Sequence, residues 1–345
     1  MIKTPAITLI IFAFSIISRA QVSPNREKAI EFTGKGIESY ASDSFERAIG
    51  FFNQAIKTDS TYPEARFRRG NAYYEHNDTK SALKDYIWLV NHKTTKAQVY
   101  ERIGTIDTTA KDFKNAIFYF TNALELDSSQ GSYFAARGLT YFLLDQFSNT
   151  IPDLERALDL KYSSAEIYSK LGYSLMQQNK NREAVFYFNK AIEKDPRNMA
   201  DYANRGFALV AIHELDGAID DLTYYLKYDS SDYTIWYNLA RAQYGLKEYD
   251  SAIASYKKVL SLRMDYADTW YRLGLVYADK GDNINAISSL TRAINTDPDN
   301  PFLYYNRAVA TARLNNGTDY CTDLKKSADM GFKDAIEMYA KACGK

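Results

Sequence analysis

Seven cationic or amide side chains recur along the chain at multiples of 34 residues. They are Arg68, Arg102, Lys170, Asn204, Asn238, Arg272 and Asn306. Guanidinium and ammonium groups bind carboxylates, and an amide both donates to and accepts from a peptide backbone. If the fold brings the seven onto one face, that face could bind an extended, acidic peptide. Acidic residues four positions before three of the cations dilute the positive charge, and the alternative is that these are ordinary solvated positions.

A second set in the same register pairs an arginine with an aspartate 16 residues later. The pairs are Arg69 with Asp85, Arg137 with Asp153, Arg205 with Asp221 and Arg307 with Asp323. Where the arginine position holds another residue, the later position is never aspartate. This co-occurrence predicts four salt bridges, each between two helices, with the arginine stem covering apolar surface. A line of basic ligand contacts is the alternative interpretation.

The two cysteines, Cys321 and Cys343, lie near the C-terminal end of the sequence. If residues 331–332 form the turn of an antiparallel helical hairpin, residue 321 lies opposite residue 342 or so. The spacing therefore favours a disulfide, which an oxidising compartment would permit. Two unpaired thiols remain the alternative.

Residues that could support catalysis or hold a metal are scarce. The three histidines, His76, His92 and His213, share no helical face. Gly34-Lys35-Gly36 lacks the spacing of a phosphate-binding loop, and the sequence has no Gly-x-Ser-x-Gly, His-Glu-x-x-His or Cys-x-x-Cys motif. The sequence predicts no catalytic residues, no metal site, no cofactor and no enzymatic activity.

The balance of charge bears on the class of partner. Lysine and arginine number 43, as do aspartate and glutamate, so the formal net charge is zero. A neutral chain has no global electrostatic attraction for nucleic acid or for an anionic membrane. A hydrophobic fraction of 46% with 25% charged residues is typical of a soluble, folded protein.

The elements that position these residues follow from a 34-residue repeat. A small residue opens the pattern at Gly36, Gly70, Gly104, Gly138, Gly172, Gly206, Ala240, Gly274 and Ala308. In most repeats an aromatic residue precedes the small residue by four, an alanine follows it by twelve, and Phe, Tyr or Leu follows it by sixteen. We number each repeat from seven residues before its small residue. Positions 4, 8 and 11, and then 20, 24 and 27, each form one stripe of a helix, so every repeat is predicted to be a helix-turn-helix unit.

The pattern resembles that of the tetratricopeptide repeat family. Residues 202–206 (Tyr-Ala-Asn-Arg-Gly) and 191–196 (Ala-Ile-Glu-Lys-Asp-Pro) match it closely, and the resemblance extends from Ala29 to about Asp334. It implies an all-α solenoid of about nine repeats, wound as a right-handed superhelix with a concave groove lined by the first helix of each repeat. The expected starts are residues 29, 63, 97, 131, 165, 199, 233, 267 and 301.

Both ends of the chain are expected to lie outside the repeats. Lys3, an apolar run over residues 6–17 and small residues at 18 and 20 indicate a secretory signal peptide over 1–20, with cleavage before Gln21. A retained anchor is the less favoured alternative, because twelve apolar residues are short for a membrane span. Residues 21–28 are predicted to be a linker, and residues 335–345 a capping helix that covers the last repeat.

These observations favour an exported, non-enzymatic scaffold, periplasmic or on the cell surface of a bacterium. Its expected partner is a protein or peptide bound in the groove, with no nucleic acid partner and no membrane span in the mature chain. The alternative is a solenoid that binds carbohydrate or cell wall through inward-facing tyrosines: Tyr40, Tyr74, Tyr237, Tyr244, Tyr271 and Tyr305.

Overall fold

The computed structural model describes residues 23–264, 266–314 and 319–344, and these residues form two compact units that meet in sequence at Tyr162 and Ser163. The predicted signal peptide, residues 1–20, lies outside the described residues. The first unit contains the helices α1 (Pro24–Ala41), α2 (Phe45–Thr58), α3 (Pro63–Glu75), α4 (Thr79–Asn91), α5 (Ala97–Thr109), α6 (Phe113–Leu126), α7 (Gly131–Phe142) and α8 (Phe147–Asp159).

The second unit contains the remaining helices of the described residues. They are α9 (Ala165–Gln177), α10 (Asn181–Lys194), α11 (Met199–Ala211), α12 (Leu215–Leu226), α13 (Tyr233–Gly245), α14 (Tyr249–Leu262), α15 (Ala267–Lys280), α16 (Asn283–Thr296), α17 (Pro301–Leu314), α18 (Cys321–Asp329) and α19 (Lys333–Ala342).

Helix pairs stacked in sequence order build both units. Within each unit a helix packs against the next one along the chain, and odd-numbered helices such as α1 and α3, or α11 and α13, also contact one another. The regular structure of the described residues is α-helical, which confirms the predicted all-α solenoid. Because successive odd-numbered helices are in contact, their side chains line one common face in each unit, which we call the inner face.

The helix boundaries follow the repeat with one correction at the start. From repeat 2 to repeat 9, the first helix begins at the first residue of the repeat. In repeat 1 it begins at Pro24 instead, so the predicted linker over 21–28 is wrong for residues 24–28. The extension has a physical cause, because the Ser23 hydroxyl accepts from the Arg26 N–H at 3.2 Å and proline suits the first turn. Arg26 also binds Asp59, at the end of α2.

Close approach of the two helices in each repeat depends on the small residue at position 8. In repeat 3 a Cβ added to Gly104 would lie 2.8 Å from the nearest ring carbon of Phe120, at position 24. Phe120 is 1% exposed, and Ala116 at position 20 is fully buried beside it. Position 8 and the second-helix stripe around position 24 therefore form the core of each helix pair, whereas position 4 is half-buried in all nine repeats and position 11 is buried in only four. The opposite face of the odd-numbered helices is left for other contacts.

Tight turns join the two helices of repeats 1 to 8 at position 15. This residue has a positive φ in repeats 1 to 8, where it is Asp43, Asn77, Lys111, Asp145, Asn179, His213, Lys247 or Gly281. Glycine, asparagine and aspartate tolerate this left-handed conformation better than other residues. His213 is therefore a turn residue of repeat 6, and its presence needs no ligand to explain it.

The C-terminal cap is the helix α19 (Lys333–Ala342), so the domain boundary predicted between residues 334 and 335 falls inside this helix. Ala335 is fully buried, and the Ser327 hydroxyl of α18 donates to the Pro301 carbonyl of α17 at 2.8 Å. Cys321 and Cys343 form a disulfide in the structure, with their Cα atoms 5.8 Å apart.

Candidate peptide-binding face

The four arginine–aspartate pairs are in contact in the structure. In repeat 2, Arg69 donates from Nε and Nη2 to the two carboxylate oxygens of Asp85, at 2.7 and 2.6 Å. The same two-bond geometry joins Arg137 to Asp153, Arg205 to Asp221 and Arg307 to Asp323, over 2.6–2.8 Å. The four aspartate side chains are between 1% and 16% exposed. Each pair joins the first helix of its repeat to the second.

Each of these arginines also reaches the preceding repeat, which the sequence analysis missed. The third guanidinium nitrogen donates to a side chain at position 25 of that repeat: Asn53, Thr121, Asn189 or Thr291, at 2.6–3.2 Å. The signal was present in the sequence, because position 25 holds Asn or Thr before every arginine repeat. Each arginine thus connects three helices, so all four arginines make structural contacts.

The cations predicted to bind an acidic ligand are largely paired within the protein. Arg68 donates to Glu64 at 2.7 Å, and Lys96 binds the same carboxylate at 2.9 Å. Arg272 donates to Asp268 at 2.8 Å in the second unit.

Arg102 has two acidic neighbours, lying 3.2 Å from Glu75 and 3.7 Å from Glu101. Its guanidinium also stacks over the ring of Tyr74, with 4.2 Å to the ring centroid. Two of the three acidic residues that dilute the charge, Glu64 and Asp268, are therefore direct partners of the cations. This leaves a balanced polar face in the first unit.

Two of the three asparagines of this set are anchored to their own helices. Asn238 and Asn306 each donate to the carbonyl four residues earlier, Thr234 at 2.9 Å and Phe302 at 2.7 Å. Asn204 and Lys170 are half-buried on α11 and α9. An amide that donates to its own helix keeps acceptor capacity on its oxygen, which suits a peptide N–H.

The inward tyrosines are mostly engaged with neighbouring side chains. The hydroxyls of Tyr237 and Tyr244 donate to Asp268 and Asp279 of the next repeat, the second over 2.5 Å. The rings of Tyr40 and Tyr305 make edge contacts with Phe45 and Phe332, and Tyr271 bonds to Asn306. Together with Tyr74 under Arg102, these contacts engage the hydroxyl or the ring of each inward tyrosine.

Asp201 is a buried carboxylate that no pattern in the sequence singles out. It lies at position 3 of repeat 6 and is 0% exposed. The Ser169 hydroxyl and the Asn198 amide donate to its two oxygens at 2.5 and 2.8 Å. Burial raises the pKa of Asp201, and these two hydrogen bonds oppose the shift only partly. A raised pKa in the folded state means that folding favours the protonated carboxyl.

Replacing Asp201 with asparagine is expected to stabilise the second unit by about 1 kcal/mol at pH 7. The advantage of the protonated carboxyl is complete below the unfolded-state pKa and is lost as the pH rises through the raised folded-state pKa. The gain from Asp201→Asn should therefore shrink as the pH falls toward about 4. Urea unfolding at several pH values measures it, with the exposed Asp220→Asn as the control. A gain independent of pH would contradict the assignment.

The histidines and acidic residues do not assemble a metal site in the part of the chain that the structure describes. His76 follows the last residue of α3, and His92 stacks on Trp88 with 3.9 Å between ring centroids. Across the same residues, no helix is both long and apolar enough to cross a bilayer.

Comparisons with known proteins find tetratricopeptide repeats in parts of the chain. Profiles described as "Tetratricopeptide repeat" match residues 97–130, 165–198 and 267–300, and one described as "TPR repeat" matches residues 244–281. The C-terminal part of a TPR repeat-containing protein from Cytophaga hutchinsonii superposes with a TM-score of 0.55 at 17% identity, over 68% of this chain and 98% of that one.

Two further similarities cover less of the molecule. A MamA protein structure aligns with a TM-score of 0.46 at 23% identity, over 52% of this chain and 95% of that chain. The curated protein "DnaJ homolog subfamily C member 7" of Mus musculus is 25% identical over 138 residues, which is 35% of this chain. The match spans only 28% of that protein's length.

Proposed function

Because this chain is a tetratricopeptide-repeat protein, we propose that it is a non-enzymatic interaction scaffold whose inner face binds an extended segment of a partner protein. The observation that carries the proposal is that the two sides of the odd-numbered helices have different roles. One side forms the buried core, in which position 8 is buried in all nine repeats. The other presents anchored amides and paired charges over several successive repeats, and these groups can bond to a peptide backbone.

The inner face favours a peptide over a sugar. The oxygens of Asn238 and Asn306 keep acceptor capacity, and paired guanidinium groups such as Arg272 still have further N–H donors. The tyrosines that could stack on a sugar instead contact neighbouring aromatic, acidic or amide side chains. A peptide backbone presents alternating N–H donors and carbonyl acceptors, so it matches these amides and guanidinium groups better than a sugar does.

We further propose that the scaffold is exported to a bacterial cell envelope, in the periplasm or at the cell surface. The support is the N-terminal pattern of residues 1–20 together with the disulfide between Cys321 and Cys343. Disulfides persist in oxidising compartments and are rare in the cytosol.

Site-specific photo-crosslinking in a bacterial host tests both parts of the proposal. A photoreactive amino acid placed at Asn238 or Asn306 on the inner face should crosslink a partner segment. The same group at Lys257 of α14 or Lys325 of α18 is the control for the even-numbered helices. Equal crosslinking from both pairs would contradict binding on the inner face. In the same cells, the exported fraction should contain a chain beginning at Gln21, and full-length chain in the cytosol would contradict export.

A further inference from the structure

The hydroxyl of Tyr256 is buried without a hydrogen-bond partner. Tyr256 lies on α14 at position 24 of repeat 7, is 0% exposed, and its oxygen makes no hydrogen bond with the described residues. Its ring packs in an apolar cluster that includes Ala240 and Leu273. Buried hydroxyls nearly always have a partner, because leaving one unpaired forfeits the bond it had with water.

The tyrosine at the same position of repeat 2 has the hydrogen-bond partner that Tyr256 lacks. Tyr86 occupies the same position in repeat 2 and is also fully buried. Its hydroxyl donates to the amide oxygen of Asn71, at position 9, over 2.8 Å. Position 9 of repeat 7 is Arg241, and a guanidinium has donors but no acceptor. The substitution of arginine for asparagine removes the acceptor that satisfies this hydroxyl in repeat 2.

Two arginines, Arg241 and Arg272, and one carboxylate, Asp268, act on the Tyr256 hydroxyl. Burial raises its pKa, and the charges of Arg272 and Arg241 act in the opposite direction. Arg272 is bound to Asp268, whereas the guanidinium of Arg241 donates to a neutral amide, Asn238, over 3.2 Å. Arg241 is exposed, so its charge is available to a ligand on the inner face.

We propose that Arg241 and the Tyr256 hydroxyl form a subsite for one carboxylate side chain, aspartate or glutamate, of the bound peptide. A carboxylate only accepts hydrogen bonds, so it can satisfy both donors at once and match the charge of Arg241. Binding exchanges the Arg241–Asn238 contact for a charge-assisted one, and it requires the side chains that cover the buried Tyr256 hydroxyl to move. This inference rests on the proposed function and adds the chemistry of one contact to it.

Fluorescence anisotropy with a labelled ten-residue glutamate peptide, and with the matched glutamine peptide, tests the subsite. The full chain should bind the glutamate peptide more tightly. Tyr256→Phe and Arg241→Gln should each weaken that binding by about tenfold, the effect of losing a hydrogen bond to a charged group, and leave the glutamine peptide unaffected.

Tyr86→Phe is the matched control. It removes a hydroxyl that already has a partner, so it should lower the melting temperature and leave the affinity for the glutamate peptide unchanged. Tyr256→Phe should weaken binding of the glutamate peptide without lowering the melting temperature, because its hydroxyl contributes no bond to the free protein. Equal affinity for the two peptides, no binding of either, or unchanged affinity in Tyr256→Phe would overturn the subsite. Crosslinking from Asn238 and Asn306 would report separately on the proposed scaffold.

Discussion

Replacing Asp85 with alanine is expected to lower the free energy of unfolding of the first unit by about 3 kcal/mol. Asp85 is 1% exposed and accepts two hydrogen bonds from Arg69, while Arg66 lies 3.4 Å from the same carboxylate. Its removal leaves two partly buried guanidinium groups without their shared counter-charge. Urea unfolding followed by circular dichroism measures the loss.

Two controls separate an uncompensated charge from a general loss of packing. Changing Arg69 to leucine together with Asp85→Ala should recover part of the stability, since repeats 5, 7 and 8 carry leucine at the arginine position. Glu193→Ala breaks the exposed pair between Lys190 and Glu193, and should have no measurable effect. If the single and double variants at Asp85 were equally unstable, the salt bridge would not be the cause.

Removing the disulfide is expected to lower the stability of the C-terminal cap by about 3 kcal/mol. Cys321 and Cys343 are separated by 22 residues, and the bond closes a loop of the unfolded chain that contains both α18 and α19. Reductant should therefore shift unfolding of the second unit to lower urea concentration. The variant with both cysteines changed to serine should unfold at that lower concentration with or without reductant. Unchanged unfolding after complete reduction would show that the bond adds nothing to the cap.

The repeating part of the structure follows from the sequence because each repeat solves the same packing problem. Glycine at position 8 and a large residue at position 24 fix the two helices at close range, so eight helix starts coincide with the register. The start of α1 could not be predicted from the repeat, because its cause is local. Ser23 and Pro24 together begin the helix five residues before the first residue of repeat 1.

The side-chain partners were harder to predict than the helices. Arg69 and Asp85 could be paired because they vary together, whereas the third contact, to Asn53, crosses a repeat boundary and uses a less distinctive residue type. The pairing of Arg68 with Glu64 depends on rotamers that spacing does not determine. The unpartnered hydroxyl of Tyr256 could be recognised only after the bond between Tyr86 and Asn71 was seen.

The arginine that connects two repeats also makes the chain mechanically uneven. Repeats 1 and 2, 3 and 4, 5 and 6, and 8 and 9 are joined in this way, through Asn53, Thr121, Asn189 and Thr291. Within the two units, repeats 3, 7 and 8 carry Ile103, Leu239 and Leu273 at the position of the arginine, and repeat 5, which opens the second unit, carries Leu171. In a solenoid each repeat is held mainly by its neighbours. Under tension the chain should therefore extend first at the junctions before repeats 3, 7 and 8, while the joined pairs move as stiff segments.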